Sequence, residues 1–157
     1  MRLTEQSRYA LRVLAHCAER HPALAKVATI AAVTGITEQN IFKLIKTLAK
    51  AGFVETNRGP HGGVRLAKPP GAIRVGQVIR AIEPRFKACG PMDAMLSEEP
   101  VSEIERELDR TIGLGIAAFM ETLDKTSIAM LVAKTSDRKS TRLNSSHSEL
   151  SRMPSSA

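Results

Sequence analysis

Gln39, Asn40, Lys43 and Lys46 are spaced so that an α-helix would gather them on one broad face. A side-chain amide carries a donor and an acceptor in one plane, the pattern that matches adenine N6 and N7 in a DNA major groove. A lysine at position 43 can donate to guanine or to phosphate, and one at position 46, farther along, suits phosphate. Thr37, just before this run, is a good helix N-cap residue, and the start of such a helix is the end that reaches base edges. This chemistry is recognition, not catalysis. Exposed lysines are also common on solvated helix faces, so the face alone does not decide the matter, and its neighbours in the chain carry weight.

Those neighbours supply a second recognition element. Phe53–Arg58 and Val64–Lys68 are short extended runs around Gly59-Pro60-His61-Gly62-Gly63, the pattern of a β-hairpin with a glycine-rich turn. Glycines at the tip permit close backbone approach to a partner. Arg58 and Arg65 flank the turn with positive charge, and Arg58 and His61 suit the negative potential of a minor groove. The turn is no phosphate loop, for it lacks the GxxxxGK[ST] pattern and a following helix.

Positioning these groups requires a scaffold, and the periodicity predicts one. Thr4 caps a first helix with Tyr9, Ala10, Val13, Leu14 and Cys17 on one face, ending before His21-Pro22. A second helix spans Val27 to Thr34, followed by Gly35. The third runs from about Glu38 to Lys50 with Ile41, Leu44, Ile45 and Leu48 facing inward, and Gly52 stands where a left-handed cap is wanted. Two helices around a short glycine-containing turn, then a hairpin, read as a winged helix-turn-helix. A fourth helix follows, roughly Val75 to Ile82. The fold class is therefore mainly α with a small β-hairpin. Residues 1–83 form the DNA-binding unit and 84–100 an irregular loop with Cys89. Within 101–136 a single amphipathic helix, to about Ala133, carries Ile104, Leu108, Ile112, Ile116, Phe119, Leu123, Ile128 and Leu131 as its apolar stripe. A stripe of that length projecting from a small domain is expected to be covered by a second copy.

Charge is distributed to match. The 157 residues carry a formal +7, but residues 1–88 hold 15 Lys/Arg against 5 Asp/Glu, whereas residues 89–136 hold 4 against 9. A basic front joined to an acidic rear points to a polyanion partner for the front half only. No apolar run is long enough to span a bilayer, and the first residues lack a signal-peptide core, so a cytoplasmic protein without a membrane partner is expected. Two cysteines cannot build a disulfide framework, and His16, His21 and His61 have no metal-ligand spacing with each other or with Cys17. Cys17, on the inward stripe of the first helix, reads as a small buried hydrophobe. Cys89 has two readings, a redox- or metal-linked thiol with Lys87 nearby, or a residue without present function. No Ser/His/Asp or Cys/His set suggests an enzyme.

The runs Met1-Arg2-Leu3-Thr4 and Arg8-Tyr9-Ala10-Leu11-Arg12, then Ala51-Gly52-Phe53-Val54, then Arg58-Gly59-Pro60-His61-Gly62-Gly63-Val64-Arg65-Leu66, resemble the Rrf-two family of winged-helix transcription regulators. Ala72 to Arg80 and Leu123 to Ile128 are similar to its NsrR branch. The resemblance covers about residues 1–133 and implies a homodimeric, sequence-specific regulator, a repressor by expectation, on a pseudo-palindromic operator in double-stranded DNA. Many members sense nitric oxide or iron status through an iron–sulfur cluster held by three cysteines in the loop before the dimer helix. Cys89 stands where the first of these would be, but the positions of the others, near Ala94 and Ser102, carry no thiolate. Arg8 replaces an Asp that completes the site in some relatives. The resemblance therefore leaves the ligand set incomplete, with Cys89 its only candidate, and no bound cofactor is expected. A cluster-dependent sensor, or a nonspecific nucleic-acid-binding module, is the alternative. Finally, Asp137 to His147 resembles the translation of a sequencing-library adapter. On that reading residues 137–157, rich in serine and without apolar periodicity, are a non-native or disordered tail with no function.

Overall fold

A computed structural model of the chain describes residues 3–59, 62–83, 86 and 102–135. The order is α1 (Glu5–Glu19), α2 (Val27–Thr34), α3 (Glu38–Lys50), β1 (Val54–Asn57), β2 (Gly63–Leu66), a 3-10 turn (Pro70–Ala72), α4 (Val75–Ile82), α5 (Glu103–Asp124) and a last helix, α6, over 128–135. The first four helices and the hairpin fall where the periodicity and punctuation predict them.

Side chains cap the starts of α1 and α5. Thr4 Oγ1 accepts from the Ser7 amide at 3.4 Å at the head of α1, and Ser102 Oγ accepts from Glu105 N–H at 3.2 Å at the head of α5. Glu83, at the end of α4, is 2 % exposed. Its Oε1 accepts from the Thr4 amide at 2.8 Å, Thr4 Oγ1 at 2.7 Å and Ser7 Oγ at 2.8 Å. A buried carboxylate is tolerable because it is so fully answered, and it fixes the end of α4 to the start of α1.

The main core lies between α1, α2, α3 and the hairpin, where Val13, Leu14, Ile30, Ile41, Leu48 and Val64 are buried together. The two strands are antiparallel, pairing Val54 with Leu66 and Asn57 with Gly63. Gly63 thus belongs to β2 rather than to the turn, and both strands are shorter than the extended runs suggest. Ala25 adds a third rung. Its amide donates to Val64 O at 2.8 Å and its carbonyl accepts from Val64 N–H at 2.9 Å, which seats the hairpin against the lead-in to α2.

The rear half departs from expectation. The single helix read over 101–133 is two, broken at Lys125–Ser127. The Val75 amide donates to Thr126 O at 2.9 Å and the Ile128 amide to Ile73 O at 3.0 Å, so this segment runs alongside the lead-in to α4 as an extended rung. Ile128 is thereby delivered into the main core, and Leu131 packs against it. A second cluster of Val75, Ile79, Phe86 and Met120, flanked by Ile116, Phe119 and Leu123, joins the lower part of α5 to α4.

Candidate nucleic-acid interface

The turn between α2 and α3 is rigidly built. Gly35 adopts φ +67°, which a side chain would strain, and its amide donates to Ala31 O at 2.8 Å. The buried Thr34 hydroxyl donates to Ile30 O at 2.6 Å and accepts from Ile36 N–H at 3.4 Å. From α1, the Arg12 guanidinium donates to the Thr34 carbonyl, tying the first helix to this corner. The angle of α3 is therefore set by polar contacts as well as by the burial of Ile41, Leu44, Ile45 and Leu48.

On the outer side, Thr37 Oγ1 accepts from Asn40 N–H at 3.4 Å as the N-cap of α3. That uses one of its lone pairs and leaves its hydroxyl proton for an outside acceptor. Gln39, Lys43 and Lys46 are exposed and Asn40 is half-buried. Lys46 meets the wing, where it lines a groove of about 590 Å³ with Phe42, Asn57, Arg58, Gly62 and Lys26. Among the described residues none of Lys26, Lys43, Lys46 and Arg58 is in an ion pair, so this side keeps its positive charge for an external anion.

Arg65 lies elsewhere. It stands opposite Glu55 across the hairpin, with Nε and Nη2 donating to Glu55 Oε2 at 3.1 and 3.0 Å, and it does not line the groove. Its charge is answered within the wing, so its expected contribution to the positive rim is reduced. His61 lies outside the described residues. Phe42 and Lys26 were not singled out by sequence reasoning. The signal for Phe42 was an aromatic standing off the stripe of Ile41, Leu44, Ile45 and Leu48. For Lys26 it was a lone cation at the start of the first helix of the pair.

The thiols do not fit a three-thiolate iron–sulfur site. Cys17 is completely buried, and burial pushes its thiol up to about 11, with Arg20 opposing the shift. Burial of this kind disfavours the thiolate that iron ligation needs. Cys89 lies outside the described residues and is the only other cysteine of the chain. Among the described residues no group of three or more His, Cys, Asp or Glu side chains is gathered as a metal would need. Nor is any described helix long and apolar enough to cross a membrane.

The family model described as Rrf2, an iron-dependent transcriptional regulator, matches residues 3–134. The chain is 37% identical over 138 residues to the protein aau3 of Rhizobium meliloti (strain 1021), covering 84% of this chain and 85% of that one. It is 33% identical over 138 residues to the HTH-type transcriptional regulator NsrR of Bacillus subtilis (strain 168), covering 87% and 94%. Its fold is similar to that of CymR, the global cysteine regulator of B. subtilis, with TM-score 0.65, 27% identity, and coverage of 85% of this chain and 98% of CymR. It is also similar in fold to IscR of T. potens, with TM-score 0.66, 24% identity, and coverage of 86% and 88%. The chain belongs to the Rrf2 family: it is a winged-helix, DNA-binding transcription regulator and not an enzyme.

Proposed function

We propose that the protein is a cytoplasmic repressor that binds a pseudo-palindromic operator as a homodimer and does so without an iron–sulfur cluster. The observation that carries the reading is the unpaired cationic face of α3 lying beside the wing, with Gln39 and Asn40 at the start of the same helix. Gln39, Asn40 and Lys43 read base edges in the major groove, with the Thr37 hydroxyl beside them. Lys46 holds phosphate, and Arg58 and His61 follow the wing into the adjacent minor groove. Arg65 acts mainly by bracing the wing through Glu55.

Pairing is supported by the exposed upper part of α5. The stripe of Ile104, Leu108, Ile112, Ile116, Phe119 and Leu123 is packed on α4 at its lower end, while Ile104 is 82 % exposed and Leu108 55 %. A second copy offering the same stripe would cover it, and twofold symmetry would present two α3 helices to two half-sites. The cluster-free reading rests on the thiolate count, since the chain offers Cys89 and a core-buried Cys17.

Selection from random-sequence duplexes, followed by sedimentation of the complex, tests this. The expected result is an enriched inverted repeat bound by two chains, with Leu108→Lys both monomeric and weakened on that DNA. A wild-type monomer binding the repeat with undiminished affinity, or no enriched sequence, contradicts it.

A further inference from the structure

Phe42 is 52 % exposed on the flank of α3 that faces the wing. The other aromatics among the described residues, Tyr9, Phe53, Phe86 and Phe119, are buried or packed against a core cluster. Phe42 lines the groove between α3 and the wing together with Lys26, Lys46, Asn57 and Arg58. One turn before it, at i−3, is Gln39, and immediately after it is Lys43. A bare aromatic leaves apolar area in water, a cost of about 25 cal/mol per Å² that the fold does not recover. The surrounding cations would hold a polyanion against it, and the one apolar group that a DNA major groove displays is the C5-methyl of thymine.

We infer that Phe42 is a specificity-determining residue that packs on a thymine methyl group in each half-site, next to the bases read by Gln39 and Lys43. The inference rests on the reading of α3 as the base-reading helix and extends it from hydrogen bonding to apolar contact. It assigns to the half-site a thymine that is selected by its methyl group, where polar readout alone would accept uracil equally well.

The test uses the duplex that wild-type protein enriches from a random-sequence library. Each thymine of one half-site is replaced in turn by uracil, which removes the methyl group and keeps every hydrogen bond. Wild type should lose about fourfold in affinity at one position, the factor that corresponds to about 0.8 kcal/mol for one buried methyl-sized group. Phe42→Ala should bind the thymine and uracil duplexes equally, and should lose more affinity on the selected thymine duplex than on random DNA. Phe42→Leu should retain part of the preference. A selected duplex on which wild type shows no uracil penalty, or a penalty that persists in Phe42→Ala, overturns the role of Phe42 and leaves α3 as the reading helix. Failure of the library to yield any preferred duplex overturns both.

Discussion

Arg80 of α4 grips Asp124, the last residue of α5, through two hydrogen bonds: Nη1 to Oδ1 at 2.9 Å and Nη2 to Oδ2 at 2.7 Å. The carboxylate lies directly over Gly76, where an added Cβ would stand 2.1 Å from Asp124 Oδ1 and 3.2 Å from its amide nitrogen. Glycine at position 76 thus lets the end of α5 descend onto α4, and the arginine fork fixes it there. The pair sits at the joint between the winged domain and the projecting helix.

This geometry predicts a coupled pair of substitutions. Gly76→Ala should destabilise the fold by about 1–3 kcal/mol, the usual cost of overpacking. Asp124→Ala alone should cost roughly 1 kcal/mol, since the pair is only partly buried. In the double variant the alanine at position 76 should cost less than in wild type, because the nearest oxygen is gone. Urea unfolding of the four proteins measures the coupling, and strict additivity would mean that Asp124 does not contact α4 as described.

His16 predicts a pH dependence. It is 4 % exposed, with no hydrogen-bond partner for Nδ1 or Nε2, and its pKa lies below the ordinary 6.5, first through loss of solvation and then through Arg20, with Glu19 opposing. The unfolded chain therefore binds this proton more readily than the folded one. The contribution of His16 to stability is full above 6.5 and is lost as pH falls below it, at up to about 1.4 kcal/mol per pH unit for one proton. Unfolding midpoints at pH 7.5 and pH 5.5 should differ less in His16→Leu than in wild type. An unchanged difference would show that other groups set the dependence.

Position 63 of the wing should not accept a side chain. A Cβ there would lie 2.6 Å from Ala25 O, the carbonyl that accepts from Val64 N–H. Gly63→Ala should unseat the hairpin from Ala25, costing about 1–3 kcal/mol and lowering DNA affinity. Affinity held at the wild-type level in a variant of normal stability would show that the seating of the wing is unimportant.

The front half of the fold was legible because most of its boundaries are marked locally: Thr4 and Thr37 cap α1 and α3, Gly35 and Gly52 stand at left-handed positions, and a helical stripe lies between them. The rear half was not, because its apolar spacing runs almost without interruption across a break. One five-residue step, Leu123 to Ile128, is the trace of the extended rung at Lys125–Ser127. Long-range partners, Ile73 and Val75, determine that rung, and no local pattern reveals them. For the interface, the polar residues of α3 could be read from residue type, but the pairing of Arg65 with Glu55 depends on strand register. The exposure of Phe42 depends on how α3 meets the wing.

The contributions of α3 should separate by salt and by sequence. Gln39→Ala and Asn40→Ala should each lose about 1–3 kcal/mol on the selected duplex and little on random DNA. Lys46→Ala should weaken both and reduce the salt slope by about one. Equal losses on both DNAs for all three variants would remove Gln39 and Asn40 from the base-reading set.

The most direct test of the account is the ratio of affinities for the selected duplex over a scrambled one. It should be measured on protein purified without air, before and after iron chelation, with iron content determined in parallel. The account predicts a ratio of at least about 10³ that chelation and Cys89→Ser leave unchanged under reducing conditions. A ratio near one, or a ratio that collapses as a stoichiometric iron chromophore is removed, would contradict it.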